Sequence, residues 1–241
     1  KIGNSWIKKY AFNEHLPEVL LLLAKNYSNN GMMEDATYMY ERLFTEYDGS
    51  RYAYEGMVYL ADQLYSAGDN KRAFQLYQTA LTNTKDKQVA LLAASRIAQR
   101  YLDEGNIKQS VKYYDKVLKA SEDYLLQDKQ QAYELANQLA KHNAYKVAIK
   151  IVEGILKTIG VDDNLYEPIL YRLAKWNYEL HNYKETQKFV NIYLDKMPYG
   201  DFADQMKSLN DKVLFEVNDN NSTMMLSRYN KIIEEYKDTP L

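Results

Sequence analysis

Residues 21–43 read LLLAKNYSNNGMMEDATYMYERL, and the chain repeats this pattern. Copies at residues 58–81 and 95–118 read VYLADQLYSAGDNKRAFQLYQTAL and SRIAQRYLDEGNIKQSVKYYDKVL. Two more, at residues 134–156 and 171–194, lack the central glycine and read ELANQLAKHNAYKVAIKIVEGIL and YRLAKWNYELHNYKETQKFVNIYL. A period of 37 or 38 residues over five copies is typical of a helical repeat protein.

Equivalent positions in the five copies carry the same kind of side chain. A small residue that follows Leu or Ile recurs at Ala24, Ala61, Ala98, Ala136 and Ala174. A second small residue follows twelve positions later, at Ala36, Ala73, Ser110, Ala148 and Thr186. Four positions after it stand Tyr40, Tyr77, Tyr114, Val152 and Val190. The apolar spacing from Leu20 to Tyr27 is i, i+3, i+4, i+7, so we predict pairs of antiparallel helices that the small residues allow to approach closely.

A glycine separates the two predicted helices in the first three copies, at Gly31, Gly68 and Gly105. Glycine takes the left-handed backbone conformation that ends a helix without steric cost. Asn143 and His181 stand there in the last two copies, and because histidine tolerates this conformation less well, we expect those turns to be shaped differently. Polar residues after the break are predicted to cap the second helices, at Asp69, Asn106 and Asn182.

These recurring positions resemble the sequence pattern of the tetratricopeptide repeat family. In that family a large apolar residue is followed by a Leu and a small residue, then by a Tyr and by a Gly at the turn. A small residue and an aromatic residue follow in the second helix, and the pattern ends in a Pro. The first copy matches this pattern at Leu20, Leu23, Ala24, Tyr27, Gly31, Ala36 and Tyr40, and the final Pro is present once, as Pro198. The resemblance covers residues 17–198 and implies an all-α fold, a right-handed superhelix of five helix pairs. Family repeats have about 34 residues. Because the two small positions keep a constant separation, we predict that the extra length lies outside the inner turn.

The predicted domain organisation is a single superhelical domain over residues 1–241. Residues 1–16 hold a partial N-terminal helix, placed at residues 4–14, and residues 17–198 hold the five motifs. Residues 199–241 hold a degenerate helix pair, placed at residues 202–217 and 223–237, of the kind that caps a repeat array. Pro17 is expected to open the first complete helix. Since the chain begins at Lys1, we expect it to be a fragment of a longer protein.

The composition excludes several kinds of chemistry. The chain has no cysteine, which excludes disulfides, thiolate zinc sites and cysteine nucleophiles. Thirty-one Lys and Arg against 33 Asp and Glu give a net charge of −2, which argues against non-specific nucleic-acid binding. No apolar run is long enough to insert in a membrane. The spacing of His15, His142 and His181 matches no metal or catalytic motif, so we predict no enzyme, no cofactor and no metal site.

The resemblance also implies a binding surface, because the first helix of each motif lines the concave face in this family. The inward positions that we select as partner-binding candidates are Lys25, Asp62, Tyr65, Gln99, Tyr133, Asn137, Tyr171, Lys175 and Tyr178. Tyrosine is frequent at protein interfaces. The chain has 24 tyrosines, and those on this face could equally be packing residues. No motif carries the Lys and Asn of the family's chaperone-type carboxylate clamp, so we do not expect a cochaperone.

We predict a non-catalytic scaffold that docks a protein partner or a neighbouring subunit. The Lys-, Asn- and Tyr-rich, cysteine-free composition resembles that of bacterial envelope proteins, including flagellar-motor scaffolds of the paralysed-flagella protein A type. The stretch from Asp219 to Thr223 resembles an extended bacterial glycosylation sequon, which makes Asn221 a glycosylation candidate and favours the periplasm. Two alternatives stay open: a receptor for a signalling peptide, and the helical platform of a larger envelope enzyme such as a lytic transglycosylase.

Overall fold

The computed structural model describes residues 12–216, apart from the side chain of Phe215, and a few positions nearer the ends: residues 5, 7, 9, 226, 229, 230, 233, 234 and 237. The predicted helices at residues 4–14 and 223–237 lie partly outside the described residues, and Asn221 of the predicted sequon lies outside them. Glycosylation of Asn221 therefore stays a prediction.

The described chain is all-helical, and contacts group it into two compact units. The unit Lys1–Tyr124 holds three motifs as the pairs α1 (Leu16–Asn29) with α2 (Met33–Glu46), α3 (Arg51–Ser66) with α4 (Asn70–Asn83), and α5 (Lys87–Asp103) with α6 (Ile107–Ala120). A short 3-10 turn, Glu122–Tyr124, closes it. The unit Leu125–Leu241 holds α7 (Lys129–Lys141) with α8 (Tyr145–Leu156), α9 (Tyr166–Glu179) with α10 (Tyr183–Lys196), and α11 (Ala203–Glu216). The five predicted helix pairs are therefore confirmed, while a single domain stays a prediction.

All five pairs turn between their helices in the same way. Asn143 and His181 have φ of 60° and 58°, in the left-handed region where Gly31, Gly68 and Gly105 lie. In each turn the residue after the left-handed one donates its N–H to a carbonyl five residues earlier, as Ala144 does to Leu139 at 3.0 Å and Asn182 to Asn177 at 2.9 Å. The expectation that the last two turns differ is wrong, because this closing bond imposes one backbone path on every copy.

Two of the three predicted caps are confirmed. The side chain of Asp69 accepts the N–H of Arg72 at 3.2 Å, and that of Asn106 accepts the N–H of Gln109 at 3.3 Å. Asn182 makes no such bond, and its side-chain Nδ2 donates to the side-chain oxygen of Asn177, at 3.3 Å. The prediction about repeat length is also confirmed: every inner turn has three residues, and the connections between motifs vary.

The two recurring small residues of each motif lie at the centre of its helix pair. Ala24 and its four equivalents are fully buried, and so are Ala36 and its equivalents. The tyrosines of the second helices, Tyr40, Tyr77 and Tyr114, are buried beside them as packing residues. None of the described helices has the length and apolarity needed to cross a bilayer.

Ser110 occupies a small position where three other motifs have alanine. It is fully buried, and its hydroxyl has no hydrogen-bond partner among the described residues. An unpaired buried hydroxyl costs free energy, so Ser110→Ala is expected to raise the free energy of unfolding by about 1 kcal/mol in urea titrations followed by circular dichroism. The reverse change, Ala73→Ser, should lower it by about 1–3 kcal/mol. A serine that stabilises either site would contradict this account.

Buried tyrosines make the folded chain sensitive to alkali. Burial raises the pKa of Tyr40 to about 12, and it raises the pKa of Tyr77 and Tyr114 above the usual range as well. An acid whose pKa is raised by folding stabilises the fold fully below its unfolded pKa, about 10 for tyrosine. That stability is lost as the pH rises through the folded pKa.

We therefore expect the helical signal to fall as the pH rises above about 10, together with the rise of phenolate absorbance from the buried tyrosines. The control is the same absorbance titration in concentrated urea, where burial is removed. The prediction would be contradicted if all tyrosines of the folded chain lost their protons at the same pH midpoint as those of the chain in urea.

Candidate functional site

The four candidates of the first unit are half-buried and engaged within the chain. The ammonium of Lys25 lies 4.0 Å from the ring centroid of Tyr59, in the first helix of the next motif. The guanidinium of Arg100 lies 4.4 Å above the ring of Tyr65, which also meets Phe74 edge to face at 6.4 Å. These contacts connect neighbouring motifs and leave Lys25 and Tyr65 only partly accessible.

Asp62 is the centre of a hydrogen-bonded cluster. Its carboxylate accepts the hydroxyl of Tyr77 at 2.6 Å and the Nε of Arg96 at 2.9 Å. It also accepts an Nη of Arg100 at 3.3 Å. Tyr77 belongs to the same motif and both arginines to the next one, so Asp62 joins α3 to α4 and α5. Its contacts indicate a role in structure.

The cluster changes the acid–base properties of its members. Burial raises the pKa of the Tyr77 hydroxyl, and the adjacent Asp62 carboxylate raises it further because it disfavours a second negative charge. Burial alone would lower the pKa of Arg100, but the hydroxyl of Tyr77 and the charge of Asp62 outweigh it and raise that pKa. Arg100 therefore keeps its proton.

Gln99 shows the same arrangement one motif later. Its Oε1 accepts the hydroxyl of Tyr114 at 2.8 Å, and its Nε2 donates to Asp103 at 2.8 Å. In both motifs an acceptor stands fifteen residues before the buried tyrosine. Lys25 holds that place in the first motif and cannot accept, and the buried hydroxyl of Tyr40 has no regular hydrogen bond among the described residues. This spacing is a signal in the sequence that marks Asp62 and Gln99 as hydrogen-bond acceptors for buried tyrosines.

In the second unit, Tyr133 and Asn137 are half-buried on α7. The side-chain amide of Asn137 donates to the backbone carbonyl of Tyr133, one turn earlier, at 2.9 Å. This bond is internal to one helix, and it leaves Asn137 with little freedom to bind a partner through that N–H.

The remaining three candidates come together. Tyr171, Lys175 and Tyr178 follow one another along α9 and line one cavity of about 550 Å³. Tyr171 lies parallel to the ring of Phe202, with centroids 4.4 Å apart and 4° between the planes. Lys175 is exposed, with its ammonium 5.9 Å from the ring of Tyr171, and Tyr178 meets Tyr183 at 5.8 Å. The structure therefore gathers these three predicted residues at one site.

The opposite wall consists of residues that the sequence interpretation missed. They belong to α11 and the loop before it and are Asp201, Asp204, Gln205, Ser208, Leu209 and Lys212. Asp204, Ser208 and Lys212 stand four residues apart, so they share one helix face. That spacing is visible in the sequence, but the repeat pattern predicts this segment only as part of a degenerate helix pair that caps the array.

A chain of hydrogen bonds holds the cavity wall in place. The hydroxyl of Tyr193 donates to the carboxylate of Glu167, and the backbone N–H of Phe202 donates to the same hydroxyl at 2.8 Å. Burial raises the pKa of Tyr193, and the bond to Glu167 adds to the rise. Because Phe202 stacks on Tyr171, these bonds also position the aromatic floor of the cavity.

The cavity carries charges of both signs. Lys175 and Lys212 supply positive charge, and Glu179, Asp201 and Asp204 supply negative charge. Asp204 lies 4.0 Å from the ammonium of Lys207, which is outside the cavity lining. Within the part of the chain that the structure describes, the other four charges form no ion pair. In that same part, no group of three or more His, Asp or Glu side chains is arranged to hold a metal ion.

Comparisons with known proteins support the fold. The family model for the tetratricopeptide repeat-like domain matches residues 22–154. No curated protein matches this chain significantly. None of the comparisons supports the narrower resemblance to flagellar-motor scaffolds.

Solved structures with similar folds cover most of the chain. PilF of Pseudomonas aeruginosa is 12% identical, with a TM-score of 0.51 over 86% of this chain and 94% of that one. YrrB, described as having an unusual peptide-binding site, is 13% identical, with a TM-score of 0.51 over 86% of this chain and 98% of that one. The C-terminal part of a repeat protein from Cytophaga hutchinsonii is 15% identical, with a TM-score of 0.54 over 97% of this chain and 87% of that one. Because the family model matches more than half of this chain, the chain belongs to the tetratricopeptide repeat-like family.

Proposed function

We propose that this chain is a non-catalytic protein-interaction scaffold that binds a segment of a partner protein between α9 and α11. One observation carries the proposal: Tyr171, Lys175 and Tyr178, selected from the repeat register as inward positions, line a single cavity of about 550 Å³. Tyrosine side chains combine a large apolar ring with a polar tip and are frequent where proteins bind each other.

The charges favour a polypeptide as the occupant. The ammonium groups of Lys175 and Lys212 can donate hydrogen bonds to carboxylates, and the carboxylates of Glu179 and Asp201 can accept hydrogen bonds from basic side chains or backbone N–H groups. A site with unpaired charges of both signs suits a segment that carries both signs, and it disfavours a uniformly charged polymer. YrrB, with its peptide-binding site, offers a precedent for this fold.

Ser208 provides a direct test, because it is exposed and lines the cavity from α11. Ser208→Trp should fill the cavity with little effect on folding. The matched control is Lys207→Trp, which places the same side chain on the neighbouring exposed position outside the lining. The probe is a displayed library of peptides with mixed charge, selected on the unmodified chain.

We expect the selected peptides to bind the unmodified chain and the Lys207→Trp control, and to lose at least about tenfold in affinity for Ser208→Trp. Peptides that bind all three proteins equally would move the interface away from this cavity. A selection that enriches no peptide would contradict the proposal itself.

A narrower role in a bacterial envelope or flagellar-motor assembly rests only on the composition and on the sequon at Asn221. Intact mass spectrometry of the chain purified from its native source tests the sequon: added glycan mass on Asn221 supports an envelope location, and an unmodified residue removes that support. The receptor and enzyme-platform alternatives gain no observation of their own from the structure.

A further inference from the structure

A second groove lies in the first unit and shares no residue with the cavity between α9 and α11. It has a volume of about 600 Å³ and follows α4, where Lys71, Phe74, Gln75 and Gln78 line it. Tyr101 near the end of α5 and Glu104 just after α5 complete it. The groove involves none of the nine positions selected from the sequence, so any role for it is independent of the function proposed above.

Aromatic rings form the apolar part of this groove. The ring of Phe74 lies 5.1 Å from that of Tyr101, which in turn lies 5.9 Å from Tyr113 of α6. The amide of Gln78 donates to the hydroxyl of Tyr113 at 2.9 Å, which ties α6 to α4 along the row of rings. Phe74 and Tyr101 remain half-buried, so part of the row is open to an apolar side chain from outside.

The helices beside the rings are strongly basic. No Asp or Glu occurs in α4, which carries a charge of +2, and α6 carries +3, whereas the whole chain carries −2. Lys108, Lys112 and Lys116 are exposed and stand four residues apart along α6. Its one carboxylate, Asp115, pairs with Lys119 at 2.7 Å.

The basic stripe and the aromatic row meet at Lys116. Its ammonium lies 5.3 Å from the ring centroid of Tyr113, which brings positive charge to the edge of the row. Lys71 brings positive charge to the groove itself. Among the residues that line the groove, Glu104 is the one with a carboxylate. In the described part of the chain, Lys71, Lys112 and Lys116 form no ion pair, so their charge is available to a ligand.

We propose that this groove binds an acidic segment of a partner protein. An aromatic or large aliphatic side chain of that segment packs on the rings of Phe74 and Tyr101. Its carboxylates face Lys71, Lys112 and Lys116. Glu104 favours a peptide over a nucleic acid, because it can accept a backbone N–H and would repel a phosphate backbone.

The test uses calorimetric titration of the full chain with the capped peptide Glu-Asp-Glu-Glu-Trp-Glu-Glu-Leu-Asp-Glu. A control peptide replaces its Trp and Leu with Ser and keeps every charge. The protein variants are Lys112→Glu with Lys116→Glu, and Gln75→Glu, which places a carboxylate in the groove at an exposed helix position. The matched control is Lys85→Glu with Lys87→Glu. It makes the same change in net charge, at exposed positions beyond the C-terminal end of α4.

We expect the Lys112 and Lys116 double variant to bind the acidic peptide about tenfold more weakly, and Gln75→Glu several-fold more weakly. The Lys85 and Lys87 control should stay within about twofold at physiological salt, where distant charges are screened. The serine peptide should bind several-fold more weakly than the parent.

Three results would overturn the proposal. The peptide could fail to bind at about 1 mM, the two double variants could weaken it equally, or a single-stranded oligonucleotide of equal charge could bind more tightly than the peptide. The second result would report attraction to net charge alone, and the third a nucleic-acid surface. None of them bears on the cavity between α9 and α11, which Ser208→Trp tests separately.

Discussion

Gly200→Ala is expected to lower the free energy of unfolding by about 2–4 kcal/mol. A Cβ at this position would lie 2.5 Å from the hydroxyl oxygen of Tyr193 and closer still to the carboxylate oxygen Oε1 of Glu167. Both are too close, and Tyr193 is buried and hydrogen-bonded in place, so the loop before α11 must shift. The shift would separate Tyr193 from Glu167 or from the N–H of Phe202, and a buried polar group would lose its partner.

The measurement is urea unfolding followed by circular dichroism, with Gly160→Ala as the matched control. A Cβ on Gly160 meets no atom within 4 Å, so that variant should change stability by less than about 0.5 kcal/mol. The Gly200 variant should also weaken peptide binding between α9 and α11, because Phe202 would no longer support Tyr171. Equal stabilities of the two alanine variants would refute the steric argument.

Asp62→Ala is expected to cost about 2–4 kcal/mol of stability. The carboxylate is only 23% exposed and accepts bonds from Tyr77, Arg96 and Arg100. Its removal leaves the buried hydroxyl of Tyr77 and the guanidinium of Arg100 without their shared acceptor. This outcome would assign Asp62 to structure, whereas the repeat register had selected it for partner binding.

The control for Asp62 is Glu46→Gln, which removes another carboxylate–arginine pair of the same unit. Glu46 bonds Arg42 at 2.7 Å but is 42% exposed, so its loss should cost less than about 1 kcal/mol. If Asp62→Ala and Glu46→Gln have the same small effect in urea titrations, the cluster has no structural importance and Asp62 returns to the list of surface candidates.

The helix pairs and their turns could be predicted from the sequence because their causes are local or periodic. The alanines equivalent to Ala24 are small wherever two helices approach, and a left-handed residue such as Gly31 ends each first helix. Even the unexpected turn at His181 follows the same path, because the backbone bond that closes it needs no side chain.

The candidate site was predicted only in part. Tyr171, Lys175 and Tyr178, which the repeat register selects as inward positions, line one cavity. The register could not tell them from Asp62 and Gln99, whose acceptor groups are taken up by buried tyrosines of their own motifs. It also missed the wall formed by α11, because that helix does not follow the repeat pattern.

The all-helical repeat, its register and the helix that carries each candidate residue can therefore be predicted from the sequence. These properties depend on side-chain size and on spacing along the chain. Which of those residues are accessible to a partner depends on how the helices pack. A candidate residue is less accessible when a side chain from another helix or loop contacts it, as Arg100 contacts Asp62 and Phe202 contacts Tyr171. Such contacts join segments that are distant in the chain, so they produce no periodic pattern in the sequence.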